Sequence, residues 1–226
     1  MKKAAVLISG GLDSTTLLHH VIKSLGYDEV YALSFDYGQK HSRELIVAKA
    51  QCDSLPEVKE HNVLDISYMG DFLGSSSALV KGGVEVPDLK DIAEGDLDQP
   101  VTYVPNRNMM LLSIAASFAE SRDCRQLYYG AQAQDEYGYW DCTESFLARM
   151  NDVFSLNRRT GVHVEAPFVN MSKGHVAKIG LALGIDYAQT WTCYRGGDKP
   201  CEVCPSCVER ALAFKECGID DPLLKK

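Results

Sequence analysis

The chain has no uninterrupted apolar run long enough to cross a bilayer, which excludes a membrane-spanning helix. It has no basic excess either. Lys and Arg number 23 against 31 Asp and Glu, a formal net charge of −8. Gripping a nucleic-acid backbone needs a basic face, so nucleic acid is disfavoured as a partner. There is no internal repeat, which argues against a solenoid. Met1-Lys2-Lys3 carries two charges, but no apolar segment with a small-residue cleavage site follows, so a cytoplasmic protein is expected. No Gly-Lys-Ser/Thr follows the first glycine pair, which excludes a Walker A loop, and the dinucleotide fingerprint is missing too.

What the chain does have is 226 residues, 46% of them hydrophobic. That is enough for one large α/β domain, or one domain with a small appendage. Its organising stretch is Ser9-Gly10-Gly11-Leu12-Asp13-Ser14. An apolar strand, Lys3 to Ile8, precedes it, and a helix with an apolar face follows from Thr15. A Gly-rich turn between a strand and a helix N-terminus is a preformed anion site. The first helical N–H groups lack internal partners, and the helix dipole adds positive charge. Gly10 and Gly11 let backbone approach an oxyanion, and Ser9, Ser14 and Thr15 add hydroxyls.

Strands and helices alternate along the rest, which predicts an α/β fold with a mainly parallel sheet. Strands are predicted at Val30–Phe35, Val58–Ile66, Gln126–Gly130 and Val162–Phe168. Asp36 and Tyr37 follow the second strand and are expected on the same side as the Ser-Gly-Gly loop. A helix over Arg43–Leu55 is expected to cover the sheet with Leu45, Ile46, Ala48 and Ala50. The pattern weakens from Ser67 to Thr102, with six acids and one Lys between Val84 and Pro100. Such a stretch reads either as a lid or as a solvated acidic excursion. Arg107 opens a helix, Met109–Ala119, that is apolar nearly all round and therefore expected to be buried. An Arg there needs an anionic or carbonyl partner, either a structural ion pair or a bound phosphate.

The stretch from Ala131 to Thr143 is rich in polar and aromatic residues, and suits recognition of a planar heterocycle. Asp135, Tyr139 and Asp141 are its candidate contacts. Ser172 is predicted to cap a helix beginning at Lys173. A cation at a helix N-terminus is best tolerated when an anion shares the site; otherwise Lys173 is a solvated surface residue. Near the C-terminus, Cys193, Cys201, Cys204 and Cys207 are spaced Cys-x7-Cys-x2-Cys-x2-Cys, with a helix expected after Cys207. Four soft thiolates so close suit a tetrahedral metal site, with a redox pair or iron–sulfur cluster as alternatives. The chain is thereby divided into residues 1–190 and a cysteine tail, 191–226.

Taken together, the chain resembles the N-type ATP pyrophosphatases and, within them, the 7-cyano-7-deazaguanine synthase family. The resemblance rests on Ser9–Thr16, Phe35-Asp-Tyr-Gly-Gln39, Val104-Pro-Asn-Arg-Asn108, Gly138-Tyr-Trp-Asp-Cys142, Thr190-Trp-Thr-Cys-Tyr194, the cysteines and Gly218–Pro222. It implies ATP on the loop at Ser9, Gly10, Gly11, Asp13, Ser14 and Thr15, with Asp36 and Tyr37 nearby. It further implies Mg²⁺ placed by Asp13, charge from Arg107 and Lys173, Zn²⁺ on the four cysteines, a deazapurine and ammonia as substrates, and a homodimer. The chain departs from the family pattern where Trp140 replaces a Pro and Thr143 an Arg, which leaves open a reaction ending at the amide instead of the nitrile.

Overall fold

The computed structural model describes residues 1–40, 42–73, 76–91, 101–132 and 139–225. Five strands form one parallel sheet: β1 (Lys3–Leu7), β2 (Glu29–Asp36), β3 (Val58–Asp65), β4 (Gln126–Tyr128) and β5 (His163–Glu165), in the order β3-β2-β1-β4-β5. The chain runs outward from β1 through β2 to β3, then restarts on β1's other side with β4. Strand order thus reverses at β1, and such a switch point opens a crevice at the strands' C-terminal ends.

Seven α-helices accompany the strands among the described residues: α1 (Leu12–His19), α2 (Arg43–Asp53), α3 (Met69–Leu73), α4 (Arg107–Glu120), α5 (Glu144–Phe154), α6 (Lys173–Ala182) and α7 (Pro205–Glu216). Alternation along β1 divides the core into two layers, because successive side chains point to opposite faces. Ala4, Val6 and Ile8 pack with Leu17, Leu18, Val176, Ala177, Ala213 and Phe214, burying α1, α6 and α7 on one face. Ala5, Leu33, Phe35 and Leu127 pack with Leu112, Ala115, Ala119, Phe146 and Met150, burying α4 and α5 on the other.

Several local expectations shift. α1 begins at Leu12 and continues as a π-turn over His20–Ser24 before Gly26 ends it at φ 68°. α2 covers the sheet with Ala48, Gln51 and Cys52, while Ile46 is 70% exposed. Of the expected stripe, Ala48 is buried and Leu45 half-buried, whereas Ala50, like Ile46, faces outward. α4 is not buried all round: Met109, Ser113 and Ser117 face outward. Asn106 holds the N-cap position at φ 53° without a side-chain cap; the cap comes from Asp141, which accepts Asn108 N–H at 3.3 Å. Ser172 caps α6 as expected, accepting His175 N–H at 3.2 Å. α7 starts before Cys207, with Cys204 as N-cap and Pro205 at its first position.

Candidate active site and metal centre

The Ser9–Ser14 loop lies at the switch point, at the C-terminal end of β1. Ser14 Oγ accepts Ser9 N–H at 3.1 Å and lies 3.0 Å from Ser9 Oγ. Gly10 has φ 79°, and a Cβ there would stand 2.5 Å from the Glu44 carbonyl oxygen and 2.8 Å from Ala48 N. Only glycine fits both constraints. Gly130, just past β4, lies close beneath α1: a Cβ on it would meet Ser14 N at 3.4 Å. The N-terminus of α1 is thereby held facing a cavity of about 330 Å³.

Of the residues expected here, Ser9, Gly11, Asp13, Ser14, Tyr37, Arg107 and Lys173 line that cavity together. Others stand outside its lining. Gly10 is buried under α2, and Thr15 is fully buried with its hydroxyl unpartnered among the described residues. Asp36 accepts Gly38 N–H at 3.2 Å within its own turn. Tyr139 hydrogen-bonds Thr102 at 2.5 Å, and Asp141 is buried at the start of α4. Asp135 lies outside the described residues.

Arg107 Nη1 donates to the Tyr37 hydroxyl at 3.4 Å, its guanidinium 5.6 Å from that ring's centroid. Among the described residues no carboxylate stands within ion-pair distance of it. Burial opposes its charge, but neighbouring Tyr37 and Asp141 outweigh this and hold it cationic. Lys173 is no solvated surface residue: its Nζ donates to Glu209 Oε2 of α7 at 2.5 Å, with both side chains largely buried. That carboxylate supplies the anion a cation at this helix end needs.

Other cavity residues carry weak sequence signals. Gln39 Oε1 accepts Tyr37 N–H at 2.8 Å, and its Nε2 donates to Glu44 Oε1 at 3.1 Å. Burial pushes the Glu44 carboxyl up to about 7, against the pull of Arg107 and the Gln39 hydrogen bond. Tyr129 lines the wall with a buried hydroxyl that has no partner among the described residues. Arg210 reaches the same cavity while its guanidinium binds Asp221 at 2.7 and 3.0 Å, Thr190 at 2.7 Å and Tyr187 O at 2.9 Å.

The four cysteines converge, with one sulfur from each lying within 4.8 Å of the others. A tetrahedral site with Zn–S bonds near 2.3 Å has sulfur–sulfur edges of about 3.8 Å, and Cys201 Sγ to Cys207 Sγ is 4.0 Å. Backbone N–H groups of Cys201 and Cys204 donate to the Cys193 and Cys201 sulfurs, at 3.4 and 3.3 Å. Hydrogen bonds from Cys204 and Cys207 favour the Cys193 thiolate, while the same contacts push the other two thiols up. Four sulfurs this close ionise together only around a cation. The donor set therefore fits a soft tetrahedral metal ion.

Within the weak stretch, residues 78–91 are anchored against the cysteine segment, while Glu85, Lys90 and Asp91 are exposed. Val86 packs with Trp191, Cys193, Cys204 and Cys207. Arg195 Nη2 donates to Val86 O at 2.8 Å and to Asp88 Oδ1 at 2.7 Å, and Leu89 N–H donates to Val203 O at 3.0 Å. The segment escapes the periodicity argument because main-chain bonds, Ala78 and Val86, and the Arg195–Asp88 pair fix it over the cysteines.

A parallel sheet in this order, with an anion loop at its switch point, defines an α/β protein of PP-loop fold. In fold it is similar to the U34-tRNA thiolase NcsA from Methanococcus maripaludis, with a TM-score of 0.50 at 17% identity over 86% of this chain and 62% of that one. The chain belongs to the family described as Queuosine biosynthesis protein QueC, which it matches over residues 3–218. It is 45% identical to a 7-cyano-7-deazaguanine synthase from Caldicellulosiruptor saccharolyticus, covering 98% of this chain and 94% of that one. It is 42% identical to the enzyme of that name from Alteromonas mediterranea, covering 98% of each.

Proposed function

We propose that this chain is an ATP-dependent carbon–nitrogen ligase that converts 7-carboxy-7-deazaguanine and ammonia to 7-cyano-7-deazaguanine, releasing AMP and pyrophosphate. The observation that carries this reading is one cavity shared by the Ser9–Ser14 loop and the Arg107 guanidinium. The resemblance to enzymes named for this product supports it.

In this reading the ATP phosphates lie over the N-terminus of α1, against Ser9, Gly11 and Ser14. Gly10 shapes the turn, and Thr15 backs it from the core. Tyr37 borders the nucleotide, and Asp36 holds the turn that presents it. The substrate carboxylate attacks the α-phosphorus, giving an acyl-adenylate from which ammonia forms the amide. A second adenylation, on the amide oxygen, leads to the nitrile. Arg107 and Lys173 stabilise charge developing on the phosphates, and alignment supplies much of the rest. Asp135 reads the base, while Tyr139 and Asp141 shape the wall behind it. Mg²⁺, placed by Asp13, supplies neutralisation of phosphate charge. Zn²⁺ supplies a cross-link among the four thiolates, holding residues 191–226 against 1–190. The reading takes the working unit as a cytoplasmic homodimer with small-molecule partners.

The departures at Trp140 and Thr143 have structural roles. Thr143 caps α5, accepting Phe146 N–H at 3.2 Å, and Trp140 donates Nε1–H to Tyr103 at 2.9 Å. Neither lines the cavity. The test is incubation with ATP, Mg²⁺, ammonium and 7-carboxy-7-deazaguanine, reading products by mass. Nitrile is the expected product. Amide alone would shorten the assigned reaction, and no product would overturn it.

A further inference from the structure

An amide-forming site must solve a protonation problem. Ammonia is almost wholly ammonium near neutral pH, and ammonium has no lone pair with which to attack. A base inside the cavity must take a proton without leaving its own charge permanently paired.

Glu44 meets those conditions. It sits in the first turn of α2, and its own carbonyl occupies the space that Gly10 leaves free, so its backbone is registered against the loop. Its carboxyl lines the cavity. Gln39 aims it: Nε2 donates to Glu44 Oε1 at 3.1 Å and to Phe35 O at 3.3 Å, while Oε1 is held by Tyr37 N–H at 2.8 Å. No donor among the described residues reaches Glu44 Oε2. The groups facing it are Arg107 from α4 and Tyr37, Asp36 and neutral Gln39 from the end of β2. Arg107 is close enough to favour the charged form but forms no ion pair with it. Burial therefore leaves this carboxyl near the middle of the physiological range, where a general base works best.

We propose that Glu44 binds the ammonium and is the general base that frees it for attack. This rests on the ligase reading above. One N–H bond of ammonium breaks, and its proton passes to Glu44 Oε2. The released lone pair forms the C–N bond to the acyl carbon of the adenylate. The C–O bond to AMP then breaks, its electron pair leaving on the phosphate oxygen, and the second nitrogen proton departs with AMP.

The test uses the full-length protein and Glu44→Gln. ATP–pyrophosphate exchange driven by 7-carboxy-7-deazaguanine reports adenylation alone, and is expected to stay within about threefold of wild type. Amide formation from ammonium is expected to fall by roughly 100-fold or more. Hydroxylamine attacks without first losing a proton, so hydroxamate formation is expected to stay within about threefold. A parallel fall with both nucleophiles, or loss of the exchange itself, would overturn the proposal in favour of a positioning or substrate-binding role. Absence of exchange in wild type would instead strike the ligase reading. If the variant does not fold, the wild-type ratio of kcat/KM for ammonium to that for hydroxylamine decides. It should follow a group titrating near 7 after correction for free ammonia, and a flat ratio refutes Glu44.

Discussion

The backbone N–H of Trp191 donates to the carbonyl of Gly10 at 3.0 Å. The Trp191 indole Nε1–H donates to Cys193 O at 3.1 Å, and the Arg43 guanidinium lies 4.1 Å over its ring system. One residue therefore holds the anion loop on one side and the first cysteine of the cluster on the other.

That linkage predicts what metal removal does. Freshly prepared protein should hold about one zinc per chain. Chelation, or Cys207→Ser, should lower the Tm and speed hydrogen exchange at Gly10–Ser14, because thiolate–metal binding energy is folding energy here. Zinc-free native protein, or loop amides indifferent to chelation, would contradict this.

Gly10→Ala places a Cβ 2.5 Å from the Glu44 carbonyl oxygen at φ 79°. The expected loss is about 2–4 kcal/mol, from left-handed strain plus displacement of α2. Urea unfolding measures it, and pyrophosphate exchange should fall with it as the loop shifts.

Arg210 and Asp221 form a buried pair, their side chains 2% and 4% exposed. Arg210→Met should cost about 3–5 kcal/mol by stranding the carboxylate, and Arg210→Met with Asp221→Leu should recover part of that. Equal losses in the single and double variants would show that packing, not charge, dominates.

Thr143→Ala removes the α5 cap and should cost about 1 kcal/mol, read as a Tm shift. Because Thr143 lies outside the cavity lining, turnover should stay within about twofold. A large rise in KM for the carboxylate substrate would show that this position reaches the ligand after all.

Glu44 also predicts a pH dependence of stability without ligands. Its folded pKa, about 7, lies above the ordinary glutamate value of 4.5. Between those values the folded state keeps a proton that the unfolded state has lost, so stability falls as pH rises and levels off above 7. The contribution is up to about 3 kcal/mol, and Glu44→Gln should remove it. Urea midpoints at pH 5 and 8 in both proteins measure the difference.

The parallel sheet and the loop were legible because short-range signals carry them: an apolar run, two glycines, a helix start. The cysteine site was legible for the same reason, with all four ligands inside fifteen residues. Glu44 was not, since nothing in Arg43-Glu44-Leu45 distinguishes a cavity carboxylate from a solvated first-turn acid. Its role follows from Gln39, five positions earlier, and from Arg107 on a different helix. Asp141 misled in the opposite sense: an acid among aromatics looked like a base reader, yet it caps α4 from a distant segment. The packing of 78–91 was invisible because main-chain bonds, a few scattered apolar residues and one ion pair to Arg195, all with partners distant in sequence, hold it.

Thr16 in the first helix shares a 2.6 Å hydrogen bond with Tyr187, 171 positions later, and Tyr187 leads through Arg210 to Asp221. The helix that follows the anion loop is thus synthesised well before the partners that support it. At about 5–20 residues per second, it waits on the order of ten to forty seconds on the ribosome before those partners exist. A nascent chain accordingly carries the loop without these supports for that interval, and contacts so distant in sequence are slow to form.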